Sequence, residues 1–368
     1  MQVGIRCMLM RGGTSKGAYF LAEDLPSDPV RRDRFLLAAL GSPDPRQIDG
    51  VGGAHPLTSK VAIISRSKEA GIDVDFLFAQ VAVDKALVDT TPNCGNILAG
   101  TAPFAIERGL IKASEPVTKV VVRTVNTGTV AELLIETPNG RVNYEGNARI
   151  DGVPGTHAPI PINFLDAAGS VCGSLLPTGN VADDIDGVKV TCIDNGMPVV
   201  VMKAQALGKT GYETPKELMA DTEFRKRLEA IRLKVGPRMN LGDVTSKVVP
   251  KMCLVASPRA GGAICTRSFI PHEAHEAIGV FGAVSVGTAA VLPGSPAYEV
   301  AKLPPGKVKA LSVEHPTGEF TVRLEIGGTE KEPVVERAGL LRTARLLFDG
   351  QIFVPESALA MPASRAAA

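Results

Sequence analysis

Two segments of this chain are apolar on nearly every face, and they constrain its fold more than any other feature. The first, GNILAGTAPFAIERGL at 95–110, meets its first charges only at Glu107 and Arg108. The second runs from Glu273 to Leu292, where Pro293 stops it, and beyond its first turn it is again apolar nearly all round. A helix without a polar face is buried on all sides. Each segment therefore needs a layer wrapped around it, and strand-like runs are available: VAIIS at 61–65, KVVVRTV at 119–125, VAELLIE at 130–136, VKVTCI at 188–193, PVVVMK at 198–203 and FTVRLEI at 320–326. Most alternate or are rich in β-branched residues, and Gly, Pro, Asn or Asp bounds them. Two further helices are expected. One spans 27–41, with Ser27 as N-cap, Pro29 in the first turn and Gly41 as C-cap; the other is polar and amphipathic over 214–236.

The two halves carry related sequence. Thr58-Ser59-Lys60-Val61 recurs as Thr245-Ser246-Lys247-Val248, an offset of 187 (245 − 58). At that offset Gly95, Gly100, Thr101 and Ala102 fall on Gly282, Gly287, Thr288 and Ala289, and Cys94 falls on Phe281. The expectation is a duplicated α+β domain, each copy a curved sheet around a buried helix, with a ligand cleft between the copies. The linker is expected near 180–187, after the turn-rich LPTGN, which gives domains of 1–184 and 185–356, the last strand being able to return to the first domain. At 368 residues the chain suits two domains of about 150–200 residues each.

Composition removes several function classes. Forty basic and 39 acidic residues leave a net charge of +1, so nothing marks a polyanionic partner and nucleic acid is not expected. No run of about 18 apolar residues and no charged-then-apolar leader appears, so no membrane partner is expected and the reading is a soluble, cytoplasmic protein. The six cysteines are scattered with no C-x-x-C pair, and His272 and His275 form neither zinc-protease order, so no metal is expected. No G-x-G-x-x-G follows a strand, which disfavours a dehydrogenase.

One cysteine stands apart. Asn93-Cys94-Gly95-Asn96 opens the buried helix, where unpaired N–H groups and the helix dipole favour an anion, a thiolate included. Gly95 allows a substrate carboxylate close to the backbone. Phe281 at the repeat position disfavours a two-thiol racemase, so Cys94 needs another partner. Lys60 is the candidate, because it begins the strongly apolar T-S-K-V-A-I-I strand; an amine withdrawn from water gives up its proton more readily, as a general base must. A lysine at a strand end can equally snorkel to water. Lys247, its repeat partner, is expected to be structural. Around the pair, MRGGTSKG at 10–17 brings Arg11, Thr14 and Ser15 in a Gly-rich loop that is not a P-loop, and Ser59 precedes the lysine. Asn195 and Met197 sit in the turn-forming DNGMP; Arg267, Ser268 and His272 sit in TRSFIPH. Arginines on loops suit a substrate with several carboxylates.

Taken together, MRGGTSKG, GSPDPRQIDGVGGAHPLTSKVAII (41–64), NCGNILAG (93–100), LPTGN (176–180), IDNGMPVV (193–200), GPRMNLGDV (236–244) and TRSFIPH (266–272) resemble the PrpF-type isomerases over nearly the whole chain. The resemblance implies the diaminopimelate-epimerase-like α+β fold: two pseudo-symmetric domains, each a barrel-like, mostly antiparallel sheet around a central helix. It implies an acid/base pair at Lys60 and Cys94, no cofactor, and a homodimer. RQIDGVGG and RTARLLFDG (342–350) look more like the 4-oxalomesaconate tautomerase and Δ-isomerase branch, which serves breakdown of aromatic, lignin-derived compounds, than the methylaconitate branch. The expected reaction is a proton shift on that small tricarboxylate. The alternatives are cis–trans isomerisation of 2-methylaconitate and, from another class, non-catalytic tricarboxylate binding.

Overall fold

The structure, a computed structural model, describes residues 1–270, 272–329 and 333–359. Its contacts divide the chain into Met1–Ile162 with the chain from Arg342 onward, and Asn163–Leu341. The sequence reading set the division at 184/185. The LPTGN segment goes instead with the second unit, because the chain around it bonds there: the Asp194 N–H donates to Leu175 O and the Gly169 N–H to Asp194 O.

In the first unit, β1 (Gln2–Gly12) and β2 (Ser15–Leu21) form a hairpin; α1 (Pro29–Leu40), β3 (Lys60–Arg66), β4 (Val74–Val81), β5 (Val88–Asp89), α2 (Gly95–Glu107), β6 (Val117–Thr124) and β7 (Val130–Glu136) follow. Strand β8 (Ile160–Leu165) spans the division, and a C-terminal strand, Ala344–Pro355, returns to pair antiparallel with β1. From β1 the order continues through antiparallel β2, parallel β3, antiparallel β4, parallel β6 and antiparallel β7. Helix α2 touches β1, β2, β3, β4, β6, β7 and the C-terminal strand, so the sheet wraps it. Every residue from Ile97 to Ala105 is buried, which is why none of them is charged. On the opposite face α1 lays Phe35, Leu36, Ala39 and Leu40 against Ile5, Cys7, Phe20, Ile352 and Val354. Asp28, one residue beyond the expected Ser27, caps it by accepting from the Arg31 N–H.

The second unit holds β9 (Asp183–Ile185), β10 (Val188–Asp194), β11 (Pro198–Lys203), α3 (Pro215–Ala220), α4 (Thr222–Arg238), β12 (Lys251–Ala256), β13 (Ile264–Phe269), α5 (Val280–Ala290), β14 (Val308–His315), β15 (Gly318–Gly328) and β16 (Pro333–Arg342), whose last residue, Arg342, already belongs to the first unit. The pairing sequence repeats that of the first: β10–β11 antiparallel, β11–β12 parallel, β12–β13 antiparallel, β13–β14 parallel, β14–β15 antiparallel. Helix α5 touches β10, β11, β14 and β15, the counterpart of α2. The fold is thus the expected α+β duplication, a mostly antiparallel sheet around one buried helix in each unit. The helix expected over 214–236 is two helices, because Asp221 stops α3 and caps α4 through the Phe224 N–H.

The repeat is real in topology, but its register differs from the 187-residue offset. Lys60 opens β3, whereas Thr245–Val248 lies in a turn ahead of β12. That turn is held by Arg232, fully buried in α4, whose Nη1 donates to the carbonyls of Val244, Lys247 and Val249 at 3.0, 3.3 and 3.3 Å. The helix caps correspond as Cys94 and Gly279, so Phe281 lies inside α5 rather than opposite Cys94. The second unit still has no thiol at the cap. No helix among the described residues is long and apolar enough to cross a membrane.

Candidate active site

Lys60 opens β3 with only 9% of its surface exposed, and the buried run Val61–Ile64 behind it fixes its backbone. Its Cα pairs with Gly17 of β2 and Gln80 of β4. A Cβ at Gly17 would sit 2.6 Å from the Lys60 carbonyl oxygen, so the close approach of β2 and β3 requires glycine there. The side chain runs back to Cys94: Nζ lies 3.5 Å from Sγ, within hydrogen-bond reach, and 5.1 Å from the centroid of the Phe78 ring.

Cys94 is the N-cap of α2, in extended conformation, and no side chain caps the helix. The first-turn N–H groups are thereby left to whatever lies beyond the helix end, a place suited to an anion. Asn93 accepts from the Cys94 N–H through Oδ1 at 2.7 Å. Asn96, in the first turn, donates from Nδ2 to Thr14 Oγ1 at 3.0 Å and accepts from Arg342 Nε at 3.1 Å. The β1–β2 hairpin presses on this turn. A Cβ at Gly12 would come 2.3 Å from the Asn96 carbonyl oxygen, and one at Gly13 would come 2.1 Å from its Oδ1. Arg11 fastens the hairpin, donating from Nη1 to Gly13 O, Thr343 O and Thr343 Oγ1 at 2.9–3.1 Å. Burial, with Arg345 nearby, pulls the Arg11 guanidinium below its ordinary value. Ser15, 2% exposed, has a hydroxyl without a hydrogen-bond partner.

The first unit therefore gathers Lys60, Cys94, Arg11, Thr14, Ser15, Asn93, Gly95 and Asn96. Ser59 is different: it is fully buried, its hydroxyl 2.7 Å from Gln47 Oε1 and 2.9 Å from His55 O, so it serves the loop and not a ligand. The remaining candidates belong to the second unit. Asn195 donates from its N–H to Ser285 Oγ and from Nδ2 to Thr288 Oγ1, tying the β10–β11 turn to α5; Met197 O accepts from Ser285 Oγ. Arg267 donates to the carbonyls of Glu213 and Thr266, Ser268 O accepts from the His275 N–H, and His272 lies half exposed with Nδ1 3.7 Å from the Glu229 carboxylate. Among the described residues no group of three His, Cys, Asp or Glu could hold a metal ion.

All six cysteines are free. Burial pushes the thiols of Cys7, Cys172, Cys192 and Cys253 up to about 12 and raises Cys265 as well. Sequence reasoning missed Phe78, beside the Lys60 amine, and Arg342, on Asn96. Arg342 lies 246 residues from Asn96 and reaches it only because the C-terminal strand rejoins β1. Its one sequence trace is the RTARLLFDG segment.

The family model described as PrpF protein matches residues 2–355. A (4E)-oxalomesaconate Delta-isomerase of Novosphingobium sp. is 62% identical, covering 95% of this chain and 97% of the relative. A 4-oxalomesaconate tautomerase of Pseudomonas putida is 58% identical over 96% and 97%. The crystal structure of a methylitaconate-delta-isomerase superposes with a TM-score of 0.84 at 35% identity, covering 98% of each chain. The chain belongs to the PrpF family and is an isomerase.

Proposed function

We propose that this chain isomerises 4-oxalomesaconate by proton transfer through Lys60 and Cys94. The observation that carries the reading is the 3.5 Å separation of the amine and the thiol at an uncapped helix N-terminus. The names of the relatives at 62% and 58% identity support the substrate. In 4-oxalomesaconate a methylene lies between a keto acid and a C=C bond. One member of the pair takes a proton from that carbon, and the electron pair spreads over the carbonyl and the double bond as a dienolate. The other returns a proton. Delivery to the distal carbon moves the double bond by one position; delivery to oxygen yields the enol. Two groups 3.5 Å apart suit sites of departure and return about 2.5 Å apart on an allyl unit.

Developing negative charge is stabilised by donors aimed at it. The first-turn N–H groups of α2 supply this, and the unpartnered Ser15 hydroxyl suits a substrate oxygen. The reading needs no cofactor, and it places a homodimeric enzyme in cytoplasmic breakdown of aromatic, lignin-derived compounds. An NMR time course in deuterated water with 4-oxalomesaconate, run beside 2-methylaconitate, tests it. Conversion of the first substrate with solvent deuterium carried into the distal carbon or exchanged into the enol is expected. Faster conversion of 2-methylaconitate overturns the substrate, and binding without solvent exchange on either overturns catalysis.

A further inference from the structure

Helix α2 has a thiol where most helices have a capping hydroxyl or carboxamide, and no side chain caps it. Something else must hold its first turn in place. We infer that Tyr19 does so, as a positioning residue for Cys94. Tyr19 lies on β2, fully buried, and its hydroxyl donates to the Ile97 carbonyl at 2.6 Å, on the helical turn that Cys94 opens. The ring is fixed from behind by Phe104 of the same helix, centroids 5.9 Å apart.

Two motif glycines make room for that hydroxyl. A Cβ at Gly100 would lie 2.4 Å from Tyr19 Oη, and one at Gly12 2.9 Å from it. Gly100 closes NCGNILAG and Gly12 opens the Gly-Gly pair of MRGGTSKG. The two motifs thus meet at one phenol oxygen. Pro103 adds a reason for an outside tether, since it lacks the N–H that would close the bond to Ala99 O in mid-helix. Lys60 is held independently by its strand pairs, so the amine–thiol distance depends on where α2 sits against β2 and β3.

The inference rests on reading Cys94 as a reacting group. The test compares Tyr19→Phe with Phe35→Leu, which loosens the core between α1 and β2, where Phe35 packs on Phe20, without touching Tyr19 or α2. Three readouts are taken: kcat and KM on 4-oxalomesaconate, the rate constant for iodoacetamide alkylation of Cys94, and Tm. For Tyr19→Phe, kcat falls about 10- to 100-fold with KM within about twofold, as a displacement of about 1 Å produces. Alkylation of Cys94 slows, while Phe35→Leu lowers Tm and leaves kcat and alkylation near wild type. Unchanged kcat and alkylation in Tyr19→Phe overturn the inference. So does faster alkylation, the mark of mere loosening, or a kcat loss in both variants that follows Tm. Alkylation needs no substrate, so a wrong substrate assignment would not disturb that arm.

Discussion

Asn96 lies between Thr14 and Arg342, donating to one at 3.0 Å and accepting from the other at 3.1 Å. Through it the β1–β2 hairpin and the end of β16, where the chain re-enters the first unit, meet at the first turn of α2, two residues from Cys94. Asn96→Ala leaves Thr14 and Arg342 each without this partner. The expected outcome is a loss of about 10-fold or more in kcat/KM with a Tm drop of a few degrees, about 1–2 kcal/mol for the bonds removed, read by steady-state kinetics and calorimetry.

Alkylation should single out one thiol. At pH 8 the thiols pushed up to about 12 by burial, Cys7, Cys172, Cys192 and Cys253, are almost wholly protonated, and only the thiolate reacts. Cys265 is raised too. Limited iodoacetamide treatment followed by peptide mass spectrometry is expected to find Cys94 modified first, with activity falling in step. First modification at another cysteine contradicts this.

Ser59 is predicted to matter for stability and not for binding. With its hydroxyl removed, Ser59→Ala leaves Gln47 Oε1 with the Ala54 N–H alone. Destabilisation of about 1–3 kcal/mol in urea is expected, with KM unchanged within about twofold. A large rise in KM would return Ser59 to the substrate.

Lys247 tests the repeat. Its Nζ donates to Leu241 O at 2.6 Å in the turn fixed by Arg232. Lys247→Met is expected to keep kcat within about twofold. Arg232→Ala, which strips a buried guanidinium from Glu229 and three carbonyls, should cost about 3–5 kcal/mol of stability by chemical unfolding.

The buried helices were readable because each lacks a polar face, and the strands because they alternate. Cys94 was singled out because two asparagines beside a buried helix are odd packing for a core cysteine, and its place at the N-cap of α2 was readable from the same segment. Lys60 was ambiguous from spacing alone, and the family motif raised it. The repeat register was misread because Thr245–Val248 copies the letters of Thr58–Val61 while its backbone is used in a turn. The bonds of Arg342 to Asn96 and of Tyr19 to Ile97 O were not readable, since they come from strand pairings that bring remote segments together. Periodicity reports which face is buried, not which carbonyl a hydroxyl meets.

The most direct measurement of the Lys60–Cys94 account is solvent-deuterium uptake into 4-oxalomesaconate, followed with product formation for wild type, Lys60→Met and Cys94→Ser. Each substitution is predicted to cut isomerisation by about 10²-fold or more, the usual weight of a positioned acid or base. Wild-type turnover and wild-type deuterium uptake in both variants would contradict it.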